Sequence, residues 1–121
     1  MALLARAPAP TATFCFSDQM ALGVLAACRD LGIRVPGDLS VVGFDDLASS
    51  RYLTPPLTTI RQPMREIGAR AVNLLLAIIE RVDVPLQQTL DFSLMLRGST
   101  APPAPHPLPW ATRQDAPACP L

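Results

Sequence analysis

Lysine is absent. All ten basic side chains are arginines, scattered from Arg6 to Arg113, and ten acidic side chains balance them to a formal net charge of zero. Such a chain is not built to hold a phosphate backbone by bulk electrostatics. There is a single histidine, His106, with no glycine-rich phosphate loop and no nucleophile–base pair. These absences count against an enzyme, including one in which Asp45 and Asp46 would hold Mg²⁺ for phosphotransfer. The three cysteines, Cys15, Cys28 and Cys119, show no metal or redox spacing. Cys15 and Cys28 read as reduced core residues and Cys119 as an exposed thiol, as suits a cytosolic protein. Long apolar runs are missing too. The opening run is only about four residues, against the roughly 7–15 of a secretory signal. Leu74–Ile79 falls far short of the roughly 20 apolar residues of a membrane span. No metal, no cofactor and no membrane partner is expected.

What is present suits one small α/β domain: 121 residues, half of them hydrophobic, with Ala, Leu and Val carrying the apolar load. Pro8 and Pro10 end a short N-terminal remnant (1–10). Thr11 to Phe16 reads as a strand buried on both faces. Ser17 or Asp18 then caps a helix over DQMALGVLAACRDLG, with Met20, Val24 and Cys28 as one stripe and Gly32 as its C′ residue. Leu39 to Phe44 is a second buried strand, ending at Asp45-Asp46. Strand, helix and strand in so short a span form a βαβ unit with parallel strands and a right-handed crossover. Ser17, Asp18, Asp45 and Asp46 then share the C-terminal edge of the sheet, where open α/β sheets bind ligands.

Leu57 to Ile60 is a further short strand. Pro63, near N1, opens a second helix whose stripe of Met64, Gly68, Val72, Leu75 and Ile79 is widened by Ile67, Ala71, Leu74, Leu76 and Ile78. So broad an apolar surface calls for cover on more than one side. Gln88 to Arg97 reads as a partly alternating strand. From residue 102 the tail carries seven of the chain's fourteen prolines and reads as disordered, with Trp110 a stray tail residue. The expected organisation is therefore 1–10, 11–101 and 102–121.

FCFSDQMALGVLAACRDLGIRVPGDLSVVGFDD, then YLTPPLTTIRQPMREIGARAVNLLL, then LMLRGST, resembles the C-terminal stretch of LacI/GalR-family transcriptional regulators over roughly residues 10–101. Any one piece is weak; their joint order is specific. The resemblance implies part of a type I periplasmic-binding-protein-like fold, in which two α/β lobes close on a small molecule, commonly a sugar or nucleobase. It also implies a dimer whose DNA contact belongs to a helix-turn-helix not seen in this sequence, and a cytoplasmic location. Carried over residue by residue, it makes Asp45 the carboxylate that accepts hydrogen bonds from sugar hydroxyls. Ser17 stands where the family has an effector-bonding Asn, and Asp18 beside it is a further expected ligand contact. Gln62 and Met64 border the cleft, and Leu22, Arg51 and Tyr52 fall at dimer contacts.

The pattern lacks the other lobe's sheet, so the apolar surface of 64–79 has no native partner, and exposing several Leu and Ile side chains costs about 1.5–3 kcal/mol each. A truncated gene product, marginally folded alone, is the expectation. The function expected is the effector-sensing part of a regulator; the alternatives are a stand-alone sugar-binding protein or a gene fragment without function.

Overall fold

The computed structural model describes residues 10–103. The N-terminal remnant and the Pro-rich tail, with His106, Trp110 and Cys119, lie outside them apart from Pro10, Pro102 and Pro103. The described residues form one four-stranded sheet of β1 (Ala12–Phe14), β2 (Ser40–Phe44), β3 (Thr58–Arg61) and β4 (Ser93–Met95), in that spatial order. Helix α1 (Asp18–Asp30) joins β1 to β2, a 3-10 turn (Ala48–Tyr52) lies between β2 and β3, and α2 (Met64–Ile79) follows β3. The first three strands are parallel, with Phe14 beside Val42 and Phe44 beside Ile60; β4 runs antiparallel to β3. The expected strand–helix–strand order with parallel strands thus holds, and the parallel strands end on one edge.

Ser17 caps α1: its backbone is extended and its Oγ accepts from the Met20 amide at 3.2 Å. Asp18 is the first helical residue, not the cap. At the other end Gly32 takes a left-handed φ of 68°, and the Gly32 and Ile33 amides bond the Arg29 and Cys28 carbonyls. This is the double hydrogen-bond closure that a glycine at C′ makes cheap. Helix α2 ends the same way without glycine: Arg81 stands at φ 57°, and the Arg81 and Val82 amides bond the Ile78 and Ala77 carbonyls. It begins one residue later than expected, because Pro63 is the residue before the first helical turn.

The core lies between α1 and one face of the sheet. Ala21, Cys28, Ile33, Leu39, Val41 and Leu57 are buried there with Cys15, and Val24, Leu25 and Leu31 pack against them. Burial pushes both the Cys15 and Cys28 thiols above their ordinary value, as befits inert core residues. Met20, expected in the core stripe, is 59% exposed, because it lies on the flank of α1 that faces away from the sheet.

The opposite face of the sheet departs from expectation. The strand read as buried on both faces has Phe14 53% and Phe16 81% exposed. With side chains alternating along a strand, Phe14, Phe44 and Ile60 share the face away from α1, where the rings of Phe14 and Phe44 meet edge-on at 6.2 Å. Among the described residues β1 is also an edge, paired only with β2. The strand expected over Gln88 to Arg97 shrinks to Ser93–Met95, since a lone antiparallel neighbour on a sheet edge supports only the residues opposite β3. Helix α2 has no buried residue, and Met64, Val72, Leu75 and Ile79 remain more than half exposed, in keeping with an apolar surface lacking its partner. No helix among the described residues is long and apolar enough to cross a membrane.

Candidate functional site

The C-terminal ends of β1, β2 and β3 bring Ser17, Asp45, Asp46 and Gln62 to one edge. The turn after β2 is unusual: Asp45 and Asp46 are consecutive non-glycine residues with φ of 106° and 53°. Such backbone persists only where surrounding contacts over-determine it. Here every amide of the turn has a tertiary partner. Asp45 donates to the Ile60 carbonyl at 2.9 Å, Asp46 to Thr59 Oγ1 at 3.4 Å, and Leu47 to Asp18 Oδ2 at 2.8 Å.

The two neighbouring carboxylates then diverge. Asp45 is half-buried, and its Oδ1 accepts from Gln62 Nε2 at 3.0 Å. Among the described residues nothing occupies Asp45 Oδ2, which leaves an acceptor for an incoming hydroxyl or amine. Asp46 points inward and is fully engaged: Arg61 Nε reaches Oδ2 at 2.6 Å and Arg97 Nη2 reaches Oδ1 at 2.5 Å, with only 4% of its side chain exposed. Burial works to raise the Asp46 carboxyl, but the hydrogen bonds and charges of Arg97 and Arg61 outweigh it and hold the group below the usual carboxylate range.

Asp18 was expected among the ligand contacts; the structure corrects this. It is 3% exposed, and its carboxylate accepts from Thr59 Oγ1, Ser50 Oγ and the Leu47 amide. A carboxylate so enclosed ties α1 to β3 and to the 3-10 turn, with no face left toward solvent. Gly43 in β2 makes room for it, since a Cβ there would fall on Asp18 Oδ1. Ser17 is half-buried, and its capping bond uses only an acceptor lone pair, so the hydroxyl proton can be offered outward. Met64 is 62% exposed at the start of α2.

Gln62 also borders a recess of about 310 Å³ on the face away from α1, walled by Phe14, Phe44, Ile60, Pro63 and Phe92 among others. Asp45 and Gln62 are therefore brought together as a polar pair beside an apolar hollow. Of the expected dimer contacts, Leu22, Arg51 and Tyr52 are all exposed, with the Arg51 guanidinium 5.9 Å from the Tyr52 ring centre. Leu22 stands one helical turn from Asp18, and Arg51 and Tyr52 directly follow Ser50, so the Ser50–Asp18 bond anchors both segments.

Sequence reasoning missed the grip of Arg61 and Arg97 on Asp46, and the role of Ser99. The Ser99 hydroxyl is buried, donating to the Val41 carbonyl at 2.6 Å and accepting from the Thr58 amide at 2.8 Å. The signal available was the RGST run itself, an arginine and two hydroxyls closing an apolar strand. Among the described residues no group of three or more His, Cys, Asp and Glu side chains could hold a metal ion.

A family model of the periplasmic binding protein-like domain matches residues 1–100. The chain is 48% identical over 86 residues to the HTH-type transcriptional repressor PurR of Haemophilus influenzae, covering 71% of this chain and 26% of that protein. It thus spans about a quarter of the length of the curated relatives it matches. Among solved structures it is similar to the lac repressor dimer bound to operator and the anti-inducer ONPF, with a TM-score of 0.71 at 44% identity over 75% of this chain and 32% of that one. It is also similar to the transcriptional regulator CelR in complex with cellobiose, with a TM-score of 0.72 at 38% identity over 79% of this chain and 30% of that one.

Proposed function

From a chain that belongs to the periplasmic binding protein-like domain family of LacI/GalR-type transcriptional regulators, as this one does, we infer an effector-sensing role in a cytoplasmic repressor, without catalysis. The unit concerned is 11–101, which supplies one wall of the effector cleft. The observation that carries this reading is the Asp45–Gln62 pair at the C-terminal edge of the parallel strands, held at 3.0 Å with one carboxylate oxygen left over. A carboxylate beside a carboxamide suits a polyhydroxylated ligand, because the first accepts charge-assisted hydrogen bonds and the second both donates and accepts. A sugar or a related small molecule is the class of effector proposed, in line with the cellobiose held by one relative. Ser17 and Met64 border the same cleft. Ser17, as a donor or acceptor, takes the place at the strand end where the wider family has a longer carboxamide.

Leu22, Arg51 and Tyr52 are proposed to meet their counterparts in a second copy; the similar lac repressor is a dimer. Operator contact is assigned to no residue of 11–101.

Titration calorimetry of the 121-residue chain against a panel of mono- and disaccharides, cellobiose included, tests the reading. At least one sugar should bind, and Asp45→Ala should abolish that binding in a chain that still melts cooperatively. An Asp45→Ala chain that binds as well as the parent would remove Asp45 from the site.

A further inference from the structure

Asp45 cannot aim its own carboxylate. Its φ of 106° is one that side-chain-bearing residues rarely adopt, and the next residue, Asp46, is left-handed as well. Something outside the turn must hold it. The strongest constraint is the clamp on Asp46, where each carboxylate oxygen receives a different arginine, Arg97 on Oδ1 and Arg61 on Oδ2. Arg61 and Gln62 are adjacent at the end of β3, and they grip the adjacent Asp46 and Asp45 respectively. The turn is thus fastened to β3 by two consecutive rungs.

Arg97 fixes the second side of the clamp. Its root is held by its own amide, which donates to Thr58 Oγ1 at 3.0 Å, and Nη1 donates to the Leu57 carbonyl at 2.8 Å. Its side chain is 13% exposed against 47% for Arg61, so its attraction for Asp46 is the less screened of the two. It bonds neither Asp45 nor Gln62 and does not line the recess.

We propose that Arg97 is a positioning residue for the effector site: by holding Asp46 it keeps the Asp45 carboxylate turned toward Gln62 and its second oxygen free for ligand. This rests on the reading of Asp45 and Gln62 as effector contacts, which the preceding titration tests separately. Arg97 acts at a distance, through one carboxylate and one peptide bond. The segment that follows β4 is thereby coupled to the cleft.

The test compares the 121-residue chain with its Arg97→Met, Arg97→Lys and Asp46→Asn variants by NMR. A pH titration follows the Asp45 carboxyl carbon and the Gln62 side-chain amide together, and cellobiose serves as the sugar probe. In the parent chain the Gln62 amide signal should move with the Asp45 titration, because the two are hydrogen-bonded. In Arg97→Met the two signals should decouple, and cellobiose binding should weaken at least tenfold. Arg97→Lys should restore part of the coupling, since an ammonium reaches one carboxylate oxygen but cannot also span to Leu57.

Coupling that persists unchanged in Arg97→Met overturns the proposal. If that variant fails to fold, Asp46→Asn takes its place: loss of coupling there supports the clamp and retained coupling overturns it. If the parent binds no cellobiose, the Gln62–Asp45 coupling alone decides the positioning role, and only the choice of sugar is put in question.

Discussion

Asp18 and Thr59, 41 residues apart in the chain, meet side chain to side chain at 2.5 Å, deep in the edge of the sheet where the parallel strands end. The same carboxylate takes the Ser50 hydroxyl and the Leu47 amide. One buried group therefore joins the start of α1, the turn after β2, the 3-10 turn and β3. Removing it strands three donors at once. Asp18→Ala should cost about 3–5 kcal/mol, since a buried donor left without a partner costs about 1–3 kcal/mol. Asp18→Asn, which keeps one acceptor oxygen, should cost about 1–2 kcal/mol. Urea unfolding followed by circular dichroism measures both, and a loss below about 1 kcal/mol for the alanine variant would contradict the hub.

Gly43 is the counterpart of Asp18 in β2. A Cβ there would fall on the Asp18 carboxylate and stand 2.9 Å from Leu57 Cδ2. Gly43→Ala should destabilise by about 1–3 kcal/mol, the usual effect of overpacking. Gly23, inside α1, has nothing within 4 Å of an added Cβ. Gly23→Ala should therefore stabilise by about 0.5–1 kcal/mol, since alanine loses less backbone freedom in a helix. Equal effects of the two substitutions in denaturant melts would refute the packing account.

The two helix C-termini offer a matched pair. Gly32 and Arg81 occupy the same left-handed position after α1 and α2. Gly32→Ala should lose about 1 kcal/mol, because a Cβ is strained there. Arg81→Gly should gain about 0.5 kcal/mol, the relief of strain being partly offset by a freer unfolded chain. Thermal melts of both variants check the opposite signs.

Acid should weaken the fold through two carboxylates. The Arg34 guanidinium, hydrogen-bonded to Asp38, holds that carboxyl below its ordinary value, and Arg97 with Arg61 outweighs burial to do the same for Asp46. A group whose folded value is depressed stabilises fully above its unfolded value and ceases to do so once the pH falls through the folded one. The contribution of these two carboxylates should thus be flat above about pH 5 and fall below about pH 3.9, the ordinary aspartate value. Asp46→Asn should flatten part of that fall. Melting midpoints taken from pH 2.5 to 6 would show a slope unchanged by the substitution if Asp46 is not involved.

Helix α2 should tolerate polar substitution on its outer seam. Val72 and Leu75 are each 56% exposed. Val72→Gln combined with Leu75→Gln should change stability by less than about 0.5 kcal/mol per site, as surface changes do. The same pair should lower the binding of a hydrophobic dye and any self-association seen by light scattering. A large loss of stability would mean the seam is covered.

Much of the molecule was legible from the residues. Apolar runs bounded by Ser17-Asp18, Gly32 and Asp45-Asp46 have only one local interpretation, a strand, a helix and a strand, and parallel strands place their polar ends together. Ser17, Asp45 and Gln62 came from motif and edge position, and the structure brings them to that edge with Asp45 and Gln62 in contact. The breadth of the α2 apolar surface was likewise readable, and it remains uncovered.

Tertiary structure alone decided the rest. Periodicity assigns a face but not a neighbour, so Phe14 and Phe16 read as buried and proved exposed, since among the described residues no layer covers that face of the sheet. Nor does one-dimensional order distinguish two adjacent aspartates. Asp45 turns toward Gln62 and Asp46 toward Arg61 and Arg97 because successive left-handed residues send their side chains in different directions, and because strands far apart in sequence deliver the cations to one of them. The position of the polar edge followed from local pattern, which short-range sterics and burial dictate. The division of labour along it, with Asp18 and Asp46 locked inward and Asp45 left with a free oxygen, was settled only by contacts between distant segments.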